Sequence, residues 1–522
     1  MMSPEKADKV TNVSDLIGSW GPLQKKIFGL LAIIYVVAPF NYLGITYYAL
    51  KDEIWCEQNN GTKIILHSDK CTFDELESCK QWGFETDRIT ISREWNMICE
   101  RYWLKSFTLS VYVFGYLISG IVIGYISDKF GRKFALACSV FLEIISQIGI
   151  IFTSNLYVFI VLRVIDGIGG YGRYIVALIL CEYSNGFKIH LNVNMNFIRM
   201  ENVGPNHRGK MVISFEWLWY IATYVMIITC YFVLDFRTIF IGITIYQLAT
   251  LIAIYYLPES PRWQLISGDK TKAGIILRQY SELDEDIFNA KFGQLCENLN
   301  ELQLKEKENE KFNIFRLFKY KETRKIFLCF LVIWLMRSFV EDGIYYVSFD
   351  LSSSVFINNA IFTAFAAATN LYMTYSVDKY RRKVLLIAGL ILSSVSLALA
   401  IPFANSDKMF PMVLFVALGN CFITSTYSLI YTYTPEVFPT QIRNVAVGIC
   451  SSVDKVASIF GTFINQVTAS YNLKVTLIVL AIPGLIAAGF TTLLNETKGV
   501  EIPDTIEEMI QINSKKNKRT NK

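Results

Sequence analysis

Histidine is nearly absent: His67, His190 and His207 are the only three in 522 residues, and their scatter gives no spacing that ligates a metal. Charge is scarce as well, with Asp, Glu, Lys and Arg at 18% and a formal net charge of +5. So small an excess over this length leaves no electrostatic footprint for nucleic acid. No complete G-x-x-x-x-G-K-[ST] run occurs, which argues against ATP-driven work, and no nucleophile, base and acid fall into a catalytic pattern, so neither an enzyme nor a cofactor is expected. Residues 1 to 24 carry no apolar stretch before a small-residue cleavage site, so no cleavable signal peptide is expected and the first apolar span serves for insertion. What abounds is apolar bulk: 53% hydrophobic and 14% aromatic residues, with a mean hydropathy of +0.36. That composition places the chain in a lipid bilayer.

Apolar stretches of about 20 residues read as spanning helices near 26–48, 105–126, 134–153, 156–180, 211–233, 237–257, 325–347, 354–377, 384–404, 409–434, 444–468 and 473–494. The polar segment 258–324, containing "ELQLKEKENEK", divides these twelve into six and six. The domain reading is therefore a tail 1–25, a six-helix bundle 26–257, a central loop 258–324, a second bundle 325–494 and a tail 495–522. Lys129, Arg132 and Lys133 follow span two, Lys379, Arg381, Arg382 and Lys383 follow span eight, and Arg443 follows span ten, so both termini are expected in the cytoplasm. The segment 49–104 then lies outside, with the sequon at Asn60 and with Cys56, Cys71, Cys79 and Cys99, which allow two disulfides in one of three connectivities.

The halves echo one another. "GYISDKFGRK" (124–133) returns as "VDKYRRK" (377–383), giving Asp128, Arg132 and Lys133 their counterparts in Asp378, Arg382 and Lys383. Glu201 and Arg208 share an E-x6-R spacing with Glu436 and Arg443, and "PESPRW", with Glu259 and Arg262, has a looser counterpart in "NETKG". Ordinary positive-inside anchoring explains the bases but not the acids at fixed spacing. Two parallel six-helix repeats around a central site describe a secondary transporter of the major facilitator type, in which these clusters act as a latch that breaks and reforms as the halves rock. In that scheme Arg132 and Lys133 meet Glu436 or Glu259. One irregularity is the stretch 181–199, which lengthens the first half relative to the second; it reads either as a genuine insertion or as a retained short intron.

"EWNMIC", "GYISDKFGRK", "PESPRW", "YTPEVFPTQIRNVAVG" and "NETKG" with "PDTIEE" resemble the organic cation, carnitine and organic anion transporters of the major facilitator superfamily, over nearly the whole chain. The resemblance implies a plasma-membrane carrier of a small organic ion, with a possible coupling ion and the large first external loop. It also implies a cavity in which Trp334 takes part, and places Lys455 where anion carriers are often basic and cation carriers acidic. The residues leave oligomeric state and substrate identity open.

Charged groups inside spans default to functional candidates. They are Arg163 and Asp166 in the fourth, Glu216 in the fifth, Arg337, Glu341 and Asp342 in the seventh, and Asp454 and Lys455 in the eleventh, with Tyr431 among the cavity aromatics. Lys455 alone favours an anion. If Glu341 or Asp342 neutralises it, the pocket suits a cation or zwitterion, which is the reading preferred here. An organic anion carrier with Lys455 as counter-ion is the runner-up, and a non-transporting receptor on the same scaffold is the alternative of another class.

Overall fold

The computed structural model describes residues 13–17, 22–50, 53–58, 62–68, 71–180, 208–309, 318, 320–347, 351, 354–404, 409–469, 473–498, 503 and 508–509. Twelve membrane helices run through them: α1 (Pro22–Tyr35), α2 (Leu104–Phe130), α3 (Arg132–Phe152), α4 (Leu156–Leu180), α5 (Arg208–Phe232), α6 (Phe236–Tyr256), α7 (Lys321–Val347), α8 (Val355–Lys379), α9 (Arg382–Ala400), α10 (Met409–Val437), α11 (Thr440–Ala469) and α12 (Leu473–Thr492). Eight of these, all but α4, α5, α7 and α8, are long and apolar enough to cross a membrane by length and composition alone. The four exceptions hold polar residues that the central site uses, among them Arg173, Thr223, Asp342 and Thr363. Glu201, Asn60 and 181–199 lie outside the described residues, as do the side chains of Arg208, Glu216 and Asp378.

The first span is broken. After α1 come two short helices, Ala38–Tyr42 and Ile45–Tyr48. Pro39 cannot donate to the preceding turn, and carbonyls on either side of the break accept from side chains: Tyr246 donates to Ile33 O (2.8 Å), Arg173 to Ile34 O (2.9 Å) and Arg163 to Asn41 O (3.2 Å). Backbone groups at membrane depth require such partners. The break thereby pins α4 and α6 to the first span.

Between the first span and α2 stands a three-stranded antiparallel sheet, with β1 (Glu53–Glu57) central between β2 (Lys63–His67) and β3 (Gln81–Phe84). Of the three possible connectivities the fold uses Cys56–Cys79 and Cys71–Cys99. From the same segment Arg88 donates to Cys230 O (3.1 Å) and Tyr231 O (3.2 Å) at the end of α5 and lies over the Phe356 ring of α8.

The segment expected as a polar loop folds into helices Pro261–Ser267, Lys270–Gln279 and Glu285–Asn309. Their apolar faces, with Leu277, Phe288 and Leu295, share a core with Val13, Leu16 and Ile17. The other expected loop, at 127–133, reduces to one residue. Helix α2 continues through Asp128, and Gly131 alone turns the chain into α3 with φ +106°.

Here the duplication becomes physical. The N–H groups of Arg132 and Lys133 donate to the Glu259 carboxylate (3.0 and 3.1 Å), and those of Arg382 and Lys383 donate to Glu496 (3.0 and 3.2 Å). In each half the acid after the sixth helix caps the third. Of the two partners expected for Arg132 and Lys133, the structure supplies Glu259, while Glu436 pairs with Arg382 at 2.8 Å inside its own half. Asp128 meets Arg132 at 3.2 Å, Arg443 donates to Phe438 O, and Arg262 is buried at the start of its helix.

Candidate functional site

Three glycine positions bring α4 close enough to build a site. A Cβ on Gly167 would strike the Tyr112 carbonyl of α2, and one on Gly169 or Gly172 would strike Ser139 of α3. The glycine-rich run 167–172, "GIGGYG", is therefore a packing surface, and it leaves Gly170, Tyr171, Arg173 and Tyr174 lining a central cavity of about 260 Å³. The other half supplies Glu341 and Asp342 from α7, Tyr427 and Tyr431 from α10, and Asp454 and Lys455 from α11.

The charges are arranged as a chain. Lys455 Nζ contacts Asp454 at 3.0 Å, Asp454 contacts Arg337 at 2.8 Å, and Arg337 contacts Glu341 at 2.6 Å. The sequence expectation that Glu341 or Asp342 neutralises Lys455 is corrected. Adjacent positions on a helix diverge by about 100°, yet the long lysine side chain curls back onto Asp454, and Arg337 occupies Glu341. Asp342 is left over: it accepts from Tyr42 Oη (3.2 Å) and Ser338 Oγ (3.4 Å) and has no ion pair among the described residues.

In the first half Glu143 accepts from Asn41 (2.8 Å), Arg173 (3.0 Å) and Gln247 (3.2 Å). Taking cavity and supporting groups together, Arg173, Arg337 and Lys455 face Glu143, Glu341, Asp342 and Asp454, three cations against four carboxylates. Among the described residues this set holds one more carboxyl group than basic side chain.

Of the residues singled out from sequence, Glu341, Asp342, Asp454, Lys455 and Tyr431 line the cavity. Arg163 does not: fully buried, it pairs with Asp166 at 2.8 Å and lies over the Tyr112 ring. Trp334 sits behind the wall, donating to Thr434 and packing edge-on against Tyr431. Sequence reasoning missed Glu143, Arg173 and a tyrosine wall. The signals were there: an acid alone in "VFLEIISQ", and tyrosines at 112 and 116 and at 171 and 174, spacings that share a helix face.

Two six-helix halves enclosing a charged, aromatic cavity at mid-helix depth define a major-facilitator carrier. Residues 27–509 match the family described as Sugar (and other) transporter, and the chain belongs to that family. Its relatives include the organic cation transporter protein of Drosophila melanogaster, 24% identical over 94% of this chain and 93% of that one. The organic cation/carnitine transporter 2 of Homo sapiens is 24% identical over 97% and 95%, and solute carrier family 22 member 4 of Mus musculus is 26% identical over 95% and 94%. Among solved structures, the inward-open xylose transporter XylE from E. coli superposes with a TM-score of 0.63 at 18% identity, covering 94% of this chain and 98% of that one.

Proposed function

We propose that the chain is a secondary transporter of small organic cations, working by alternating access in the plasma membrane with both termini cytoplasmic. The observation that carries this reading is Asp342, a carboxylate on the cavity wall held by neutral donors with no ion pair among the described residues. A charge in a membrane interior calls for a partner, and an entering ammonium group supplies it. Around it Tyr42, Tyr345 and Trp219 line the cavity with aromatic groups, whose faces attract cations. The relatives' names, organic cation and organic cation/carnitine transporters, support the same class. Lys455 argues less for an anion than its position suggests, because Asp454 already holds it.

The test is uptake in a heterologous cell of a labelled quaternary amine, a zwitterion and an aromatic carboxylate, by the native chain, Asp342→Asn and Lys455→Asp. We expect amine uptake by the native chain and a loss of at least about tenfold in kcat/KM with Asp342→Asn, equivalent to ~1.4 kcal/mol of lost transition-state stabilisation. Uptake of the carboxylate alone, abolished by Lys455→Asp, would establish the anion reading instead. No flux of any probe from a surface-expressed chain would favour a receptor.

A further inference from the structure

We infer that Asn420 and Thr424 form a neutral hydrogen-bonding subsite in this cavity, taking a carboxamide carried by the organic cation whose charged end sits at Asp342. This rests on the cation reading above and adds to it the substituent by which substrates are told apart.

Both residues line the cavity from α10. They stand four apart, so they share a helix face, and Tyr427 and Tyr431 continue the same lining stripe. Asn420 is 7% exposed, yet its amide has no hydrogen-bond partner among the described residues, and neither has the Thr424 hydroxyl. The polar side chains beside them are engaged: Cys421 meets Thr369 of α8, Ser425 Oγ donates to Phe422 O (2.6 Å) and Thr426 Oγ1 to Ile423 O (2.6 Å). Two other cavity threonines, Thr223 and Thr363, donate to carbonyls of their own helices at 2.8 and 2.7 Å. An amide buried in a membrane helix without a partner is costly, so its partner is to be sought in what the cavity carries.

The kind of partner follows from the donors and acceptors. Asn420 offers two N–H groups and a carbonyl oxygen, and Thr424 a hydroxyl that both donates and accepts. A carboxamide matches the asparagine in both senses at once, accepting from its N–H and donating to its oxygen. A carboxylate has no proton for that oxygen, and this wall gives it no cation: α8 contributes Phe362, Thr363 and Ala366, uncharged like the α10 residues, while the acids and bases of the lining come from α4, α7 and α11. An alkyl tail leaves the asparagine unpaired. The cavity is therefore two-sided, with Asp342 of α7 for an ammonium group and the α8 and α10 wall for a neutral polar one.

The experiment compares two quaternary amines of matched shape, one ending in a primary carboxamide and one in an isopropenyl group. KM and kcat are measured for the native chain, Asn420→Leu, Asn420→Ala and Thr424→Val, with surface amounts quantified throughout. The native chain is expected to favour the carboxamide at least about fivefold in kcat/KM, as the cost of leaving a buried polar group unpaired requires. Asn420→Leu and Asn420→Ala are expected to abolish that preference by raising KM for the carboxamide probe alone, and Thr424→Val to reduce it about threefold, the share of one neutral hydrogen bond. Equal changes for both probes in the Asn420 variants would overturn the inference, as would a preference that survives them. If neither Asn420 variant reaches the surface, an undiminished preference in Thr424→Val overturns it instead. If the native chain carries both amines equally well, this inference fails while the cation reading stands; if it carries neither, the cation reading fails first.

Discussion

At the scale of single residues, the caps at the start of α3 and α9 are the plainest inheritance of the duplication. Burial pushes the Glu259 carboxyl above its ordinary range, against the lowering effect of the N–H groups of Ser260, Lys133 and Arg132. The neutral form is thus favoured by the folded protein, so the charge there adds no stability as pH rises past the usual carboxylate range. What matters is the acceptor. We expect Glu259→Gln to retain near-native thermal stability at pH 7 and Glu259→Ala to lose about 1 kcal/mol, the usual cost of a lost cap, read as a lower melting temperature in detergent. Gly131→Ala should lose ~1–2 kcal/mol, because φ +106° is costly for any side chain and a Cβ there meets the Glu259 carboxylate. The acid-base spacings at 128–133, 259 and 436 were legible in the sequence because they repeat. The partner of each was not, since Glu436 and Glu259 were equally plausible until the close approach of α3 to the turn after α6 was known.

At the scale of elements, the sheet and its bridges form a unit that the sequence outlined without resolving. Four cysteines in one segment announce disulfides, but pairing depends on which strands lie adjacent, and β3 adding to the edge of β1 is a long-range fact. The Cys56–Cys79 and Cys71–Cys99 links are separated by 23 and 28 residues, so each is expected to stabilise the segment by ~3 kcal/mol in the chain-entropy picture. Cys71→Ser should expose Cys99 to a membrane-impermeant maleimide on intact cells, while Cys56 stays protected; labelling of Cys56 instead, or only after permeabilisation, would contradict the pairing or the orientation. The helices were readable within a few residues wherever apolar runs were unbroken. The first span was not, because the consequence of Pro39 is decided by Arg163, Arg173 and Tyr246, which arrive from elsewhere to take its carbonyls.

At the scale of the whole molecule, function requires the halves to move against each other about the cavity. They touch at several described places: Ser110 Oγ and Thr462 Oγ1 at 2.6 Å between α2 and α11, Tyr224 to Ala360 O at 2.9 Å between α5 and α8, and Tyr42 to Asp342. The first contact is near the end of the bundle that carries the sheet. A Ser110→Cys, Thr462→Cys pair is expected to cross-link under mild oxidation and to cut transport at least about tenfold, with recovery on reduction, because opening at that end is then prevented. Full transport in the cross-linked protein would mean that this contact never separates during turnover.

The contact that Arg88 makes from the sheet-bearing segment extends this further. One side chain holds the end of α5 in the first half and rests on Phe356 in the second, so the sheet-bearing segment straddles the seam along which the carrier must part. An antibody fragment that fastened this domain to the rim of α8 would act as a brake on turnover, leaving the passage itself unobstructed and inaccessible to competition by substrate.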